Sequence, residues 1–447
     1  MKFRKSYLAI PLSLTLLASA GGAVSAHNLE PSNPSVETPS SDLRSSLGHL
    51  LSEHAYLAAE AMRKGAEGAK DFDAAANALN DNTTDLTAAI ESVYGTDAGQ
   101  QFNEMWTNHI GFFVDYVKAS GSNDQAAKDE ALSKLDNYRS DFSKFLETAT
   151  GERLESSSLA DGLQMHVNQL VGAFDSYVKG DYEKAYQYER ESIHHMHMVA
   201  KGLSSAISDQ FPEKFHETMA VTPAADLRAH LDHLLTEHAS LAVTAMQNGI
   251  DGSEDFEASA GALAANTKDL AAAISSVYGD EAGKQFENMW SEHIGFFVEY
   301  VKATEAGDEA KKEEALKNLD SYRGEFSKFL ETATDGRLKS GALADGLQMH
   351  VNQLVGSFDS YAAGDYEKAY EQAREAYAHM LNPAKGLSGS IVDQFPEKFA
   401  INMPAEMPKT GMGGTAEREM PFEMLLAGLF AAAGITAMAV RRKVEKN

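Results

Sequence analysis

An all-α fold of two tandem homologous bundles, about six helices each, is what the sequence predicts, on three observations. Long segments are filled with Ala, Leu, Glu, Lys and Gln, residues that lose little on entering a helix. Apolar residues in those segments recur with a 3.6-residue period, and no stretch alternates convincingly as a strand. The chain also repeats itself at an offset of 184 residues: ADGLQMHVNQLVG stands at 160–172 and 344–356, FSKFLETAT at 142–150 and 326–334, and GDYEKAY at 180–186 and 364–370.

Within the first copy the expected helices cover 42–64, 71–93, 97–119, 123–149, 155–179 and 182–209. Gly65 and Gly68 end the first, Gly95 the second, Gly121 with Ser122 the third, Gly151 the fourth and Gly180 with Asp181 the fifth. Pro212, inside the QFPEKF that closes each copy, stops the sixth, and the second copy carries equivalent breaks. Short connections favour antiparallel neighbours. The copies are placed at 41–222 and 223–403, preceded by a flexible lead at 27–40 that contains Pro31, Pro34 and Pro39. Asn82-Thr83-Thr84 and its counterpart Asn266-Thr267-Lys268 fit helix-surface positions as easily as any site.

The two ends carry signals of another kind. Residues 1–26 run from Lys2, Arg4 and Lys5 through an apolar stretch to AVSA, the layout of a secretory signal peptide cut after Ala26. At 404–423 lie a short spacer and Met407, Pro408, Lys409, Thr410 and Gly411. Residues 424–447 hold the apolar run MLLAGLFAAAGITAMAV followed by Arg441, Arg442 and Lys443. This C-terminal arrangement resembles the sorting signal of Gram-positive sortase-anchored (LPxTG-like) wall proteins, with Met407 where Leu is usual. The resemblance implies cleavage between Thr410 and Gly411 by sortase, covalent attachment to peptidoglycan and an outward-facing folded part. A plain membrane tail anchor is the alternative, since the apolar run is just long enough to span.

Charge and cysteine content narrow the function. The net charge is −27, and the two ends carry eight basic against four acidic side chains, so the stretch between them holds about −31. Such a surface excludes nucleic acid as a partner and attracts cations in general. The chain has no cysteine, which excludes disulfides, thiolate metal sites, iron–sulfur clusters and c-type haem attachment. It contains no G-x-S-x-G, H-E-x-x-H or Walker-type phosphate loop, so no catalytic residues are assigned.

Histidines carry the strongest chemical signal. FNEMWTNHIGFFVDYVKA at 102–119 places Phe102, Trp106, His109, Phe113 and Tyr116 on one helical stripe, and the run recurs at 286–303 around His293. His54, His166 and His195 fall on apolar stripes of three other helices, matched at the same offset by His238, His350 and His379. Four inward imidazoles from four helices can converge on a metal ion inside a bundle, so these eight are the candidate ligands. His49 and His233 sit at the edge of the same stripes, while Glu53, Glu237, Glu191 and Glu375 are secondary candidates that supply a carboxylate to the metal or to a ligand's second nitrogen. Met105, Met165 and Met196, with Met289, Met349 and Met380 in the second copy, lie near histidines and add a thioether preference for copper, with iron and zinc beside it. The local HHMHM at 194–198 can also scavenge copper, although only His195 and Met196 of it recur.

The function expected from these residues is binding, storage or delivery of a transition metal at the cell surface, favoured over catalysis. Haem held by His109 beside Trp106 and Phe113 is one alternative. A structural or adhesive surface protein, engaging a surface protein partner and keeping its histidines as core residues, is another. A metal-dependent oxidoreductase is a third.

Overall fold

The computed structural model describes residues 33–401. The first copy forms α1 (Pro39–Glu67), α2 (Phe72–Tyr94), α3 (Thr96–Gly121), α4 (Gln125–Ala149), α5 (Ser156–Val178) and α6 (Tyr182–Gln210). In the second copy lie α7 (Pro223–Asp251), α8 (Phe256–Tyr278), α9 (Asp280–Glu305), α10 (Glu309–Ala333), α11 (Ser340–Ala362), α12 (Tyr366–His379), α13 (Leu381–Gln394) and the single turn α14 (Pro396–Phe399). The all-α expectation of two similar six-helix modules is therefore met.

Local chemistry fixes the helix ends twice over. The Thr38 hydroxyl accepts from the Ser41 N–H at 3.1 Å, Pro39 opens α1 and Asp42 sits in its first turn. Thr222, Pro223 and Asp226 do the same for α7, with Ala225 N–H donating at 3.1 Å. Each of these helices stops at a glycine in the left-handed region, Gly68 at φ 63° and Gly252 at φ 61°, where a Cβ would be strained.

Within each module the helices pack on their chain neighbours, and α1 closes against α6 as α7 closes against α13. Both α1 and α7 are buried on almost every face, because they also pack against each other. Helix α6 lies against α8, and α12 against α2. Residues 33–401 consequently belong to one compact unit.

Ion pairs across the junction are reciprocal. Arg44 Nη1 meets Asp226 Oδ1 at 2.6 Å, and its counterpart Arg228 meets Asp42 at 2.5 Å. Arg190 donates to Glu237 at 2.9 Å and to Asp269 at 2.7 Å, and Arg374 donates to Glu53 and Asp85 at the same distances. Contacts that exchange i with j in this way define a pseudo-twofold axis, the isologous arrangement of a symmetric dimer, here within one chain.

Three details differ from the sequence expectation. The end of the expected flexible lead is built into the fold: Val36 is buried against Ala224 and Val392, and its carbonyl accepts from Arg228 Nη1 at 2.9 Å. Asn82 is fully buried instead of lying on the helix surface, donating to the Leu50 carbonyl at 2.9 Å and to Glu53 at 2.8 Å; Asn266 repeats this toward Leu234 and Glu237. The single helix α6 becomes two, α12 and α13, in the second copy. Pro383, where the first copy has Val199, lacks an N–H to donate back to His379, and its ring crowds that carbonyl.

The expected signal peptide, MPKTG motif and C-terminal apolar run lie outside the described residues. Among the described residues no helix is long and apolar enough to cross a membrane.

Candidate metal centres

Each module brings three histidines together at its centre. His54 on α1, His109 on α3 and His166 on α5 form one triad, and His238 on α7, His293 on α9 and His350 on α11 form the other. In each, one nitrogen per ring lies within 4.8 Å of the corresponding atoms of the other two. The ring centroids of His54 and His109 are 5.3 Å apart and those of His54 and His166 5.9 Å; the second triad gives 5.4 and 5.9 Å. At a metal–nitrogen distance of about 2.0–2.1 Å, two imidazole centroids around one tetrahedral ion stand about 5 Å apart. The rings are thus close to the spacing that one ion imposes.

The aromatic stripe on α3 positions the imidazoles. Trp106 packs 4.7 Å from His54 and 4.6 Å from His109, and Tyr138 stacks on His109 at 4.8 Å. Trp290 and Tyr322 hold His238 and His293 in the same way, at 4.8, 4.6 and 4.9 Å. All six triad histidines are buried. Both ring nitrogens of His54, His166 and His350, and one each of His109, His238 and His293, find no hydrogen-bond partner in the protein. A buried polar atom left without a partner costs about 1–3 kcal/mol, and a coordinated ion removes that cost for one nitrogen per ring.

Electrostatics keep the triads neutral and ready to coordinate. Burial pushes His109 down to about 3, opposed in part by the Trp106 backbone, and pushes His166 down to about 3 with His109 and His195 adding to the effect. His293 falls to about 3 through burial and the neighbouring His350; His54, His238 and His350 are also held well below their ordinary value by burial and by other histidines. Neutral imidazole is the ligand form of histidine. The two triads can therefore each coordinate a transition-metal ion.

The remaining candidates stand apart. His195 and His379, expected to face inward with the others, spend Nε2 on the Gly162 and Gly346 carbonyls, both at 2.9 Å. Glu53 and Glu237 are buried but committed, each to an arginine and an asparagine. Glu191 and Glu375 are exposed, as are Met165 and Met349, so none of these reaches a triad. Met196 and Met380 are buried, and Met105 and Met289 partly so. His49 and His233 are buried where the modules meet, away from both triads.

In the first module a cavity of about 290 Å³ adjoins the triad, with Trp106, His109, Tyr138, His166 and His195 in an otherwise largely apolar wall. That volume is at the small end of ligand pockets, which run roughly 300–1,000 Å³.

Sequence reasoning missed the stacked tyrosines and the arginines that neutralise Glu53 and Glu237. Tyr138 and Tyr322 do recur at the 184-residue offset, which is the signal that marks them. No family model matches this chain, and no curated protein or solved structure is similar to it.

Proposed function

We propose that this protein binds a transition metal at each His54–His109–His166-type triad and serves to hold or deliver that metal at the cell surface. The observation that carries the reading is the convergence of three buried, neutral, unpartnered imidazoles from three helices, made twice. A bundle that kept these histidines for packing alone would leave their ring nitrogens without partners at a cost. The outward-facing, wall-attached location rests on the sequence of the two ends, through their similarity to sortase substrates.

Copper in its cuprous state suits the triads best. The titratable groups that act on His54, His238 and His350 are other, neutral histidines, and the walls are indole, phenol and phenyl rings. A singly charged ion brought into such surroundings carries about a quarter of the desolvation cost of a doubly charged one, because that cost scales with the square of the charge. Trigonal coordination by three imidazoles completes a cuprous ion, whereas zinc needs a fourth ligand. Support from methionine is weaker than the sequence suggested, since Met165 and Met349 point to solvent.

Haem is the second reading, favoured by the apolar cavity beside His109 and His166. A Soret band on haem addition that disappears in His109→Ala would select it. For the leading reading, the full chain is loaded anaerobically with cuprous ion, passed over a desalting column and assayed for metal. The His109→Ala/His293→Ala variant is expected to retain two equivalents fewer than the unaltered chain, and equal contents would defeat the proposal.

A further inference from the structure

None of the three histidines of the HHMHM stretch belongs to a triad, and with His195 on the Gly162 carbonyl two remain. His194 and His197, three residues apart on α6, face α7 across the module junction. The His194 ring centroid is 4.9 Å from that of His233, and the His197 centroid is 5.1 Å from it. His230, one turn before His233 on α7, lies 6.5 Å from it. His233 keeps both ring nitrogens without a hydrogen-bond partner, as His197 keeps Nε2 and His49 keeps Nδ1.

Space has been made for this group. Gly48 sits in the interior of α1, where glycine is unfavourable, and a Cβ there would lie 2.9 Å from His197 Nδ1. The second copy has Asp232 at the matching position. His194, His197 and His230 likewise correspond to Ala378, Leu381 and Ser46. The cluster is therefore single: it forms only where α6 of the first copy meets α7 of the second.

We infer that His194, His197 and His233, with His230 beside them, form a third transition-metal site that bridges the two modules and takes a divalent, zinc-like ion exchanging with solvent. The two centroid separations match the roughly 5 Å set by one tetrahedral ion. The junction nitrogens stand farther apart than those of the triads. His194 is exposed, and rotation about its side-chain bonds closes the set and leaves the ion open to water on that side.

The local charge differs from that of the triads. Glu237 Oε1 lies 3.9 Å from His233 Nε2, Asp269 acts on His230, and Arg190 and Arg44, which act on His233 and His197, are paired to Asp269 and Asp226. Those two arginines add positive charge, which each carboxylate pairing offsets. Burial and mutual repulsion among the histidines also hold His197 down to about 3 and His233 well below its ordinary value, so both offer free lone pairs at neutral pH.

The test is equilibrium dialysis of the full chain against zinc chloride at pH 7.5, with helicity checked by circular dichroism. His197→Ala/His233→Ala is expected to lose one equivalent relative to the unaltered chain, and His109→Ala/His293→Ala to keep that same equivalent. His194→Ala, which removes an exposed ring and leaves the core intact, is expected to weaken that equivalent by about tenfold or more. Unchanged zinc content in the first variant, or unchanged affinity in His194→Ala, overturns the junction site. Loss of the triads as metal sites would show instead in the anaerobic cuprous assay, as equal copper content in His109→Ala/His293→Ala and the unaltered chain, with the zinc equivalent at the junction still sensitive to His194.

Discussion

The two triads are near duplicates, whereas the surfaces through which the modules meet have diverged. His54 and His238 see the same tryptophan, the same second histidine and the same third histidine at separations that agree within 0.1 Å. Across the junction, α1 contributes Glu60, Arg63 and Lys64 where α7 contributes Thr244, Gln247 and Asn248. Arg63 reaches Asp255 at 2.9 Å and Lys64 reaches Asp71 at 2.9 Å, so both buried aspartates of the pair draw their cations from one helix. The histidine cluster around His233 is equally one-sided.

The contrast has a physical reason. Each triad faces the inside of its own module, and both modules impose the same packing problem there. Near the pseudo-twofold axis Arg63 meets Asn248, the position that corresponds to Lys64. Two copies of Arg63 and Lys64 would crowd four cations around a common buried centre. A tandem chain, unlike a true dimer, lets one copy hold the charge and the other a neutral partner.

Metal content tests the equality of the triads most severely. His109→Ala and His293→Ala are each expected to lose one whole equivalent of cuprous ion and to do so additively, measured by elemental analysis after desalting. A loss from one variant alone would show that the modules are not equivalent.

Next in size are the reciprocal arginines. Arg374→Ala leaves the buried Glu53 without its cation, and Arg190→Ala does the same to Glu237. Removing one partner of a buried pair costs about 3–5 kcal/mol. Denaturant unfolding should therefore give two similar losses of roughly that size, and a difference above about 2 kcal/mol would break the symmetry argument.

Acid should weaken the metal-free protein. The triad histidines and His197 and His233 bind protons less readily folded than unfolded, so stability is lost as pH falls below 6.5 toward about 3. Glu189, pushed up to about 8 by burial and by Glu60, acts in the opposite sense: folding favours its protonated form, so stability rises as pH falls from 8 to 4.5. Asp232, raised to about 6 by burial, assists it. The histidines outnumber these acids, and the thermal midpoint should fall between pH 6.5 and 4.5, each group contributing at most about 1.4 kcal/mol per pH unit.

The smallest effect concerns Glu189, whose counterpart is Ala373. Glu189→Gln keeps the shape and removes the ionisation, so stability should rise by about 1–3 kcal/mol at pH 9 and change little at pH 4.5, measured by urea unfolding. Equal effects at the two pH values would show that Glu189 is not held protonated.

Much of this was legible in the sequence. Helix number, the 184-residue repeat and the inward stripes of His54, His109 and His166 follow from periodicity alone. That three of the four candidate histidines share one centre, with His195 turned to a carbonyl, was not, because periodicity gives a face and not a height along the bundle axis. The junction was the least legible part. His230 and His197 have no counterparts in the other copy, so a comparison of copies discards them, and only the packing of α6 on α7 reunites them. Pro383 is passed over in the same way: breaks equivalent to those of the first copy are expected, and its missing N–H separates α12 from α13.

The reciprocal pairing also bears on how such a protein depends on its own abundance. A single module carries both halves of each cross-junction pair, Arg190 and Glu53 in the first, so lone modules could satisfy those charges only by finding a second copy. Joining two of them in tandem turns that encounter into an intramolecular event with a fixed effective concentration. The buried glutamates then stay neutralised, and the junction histidines assembled, at any dilution of the chain.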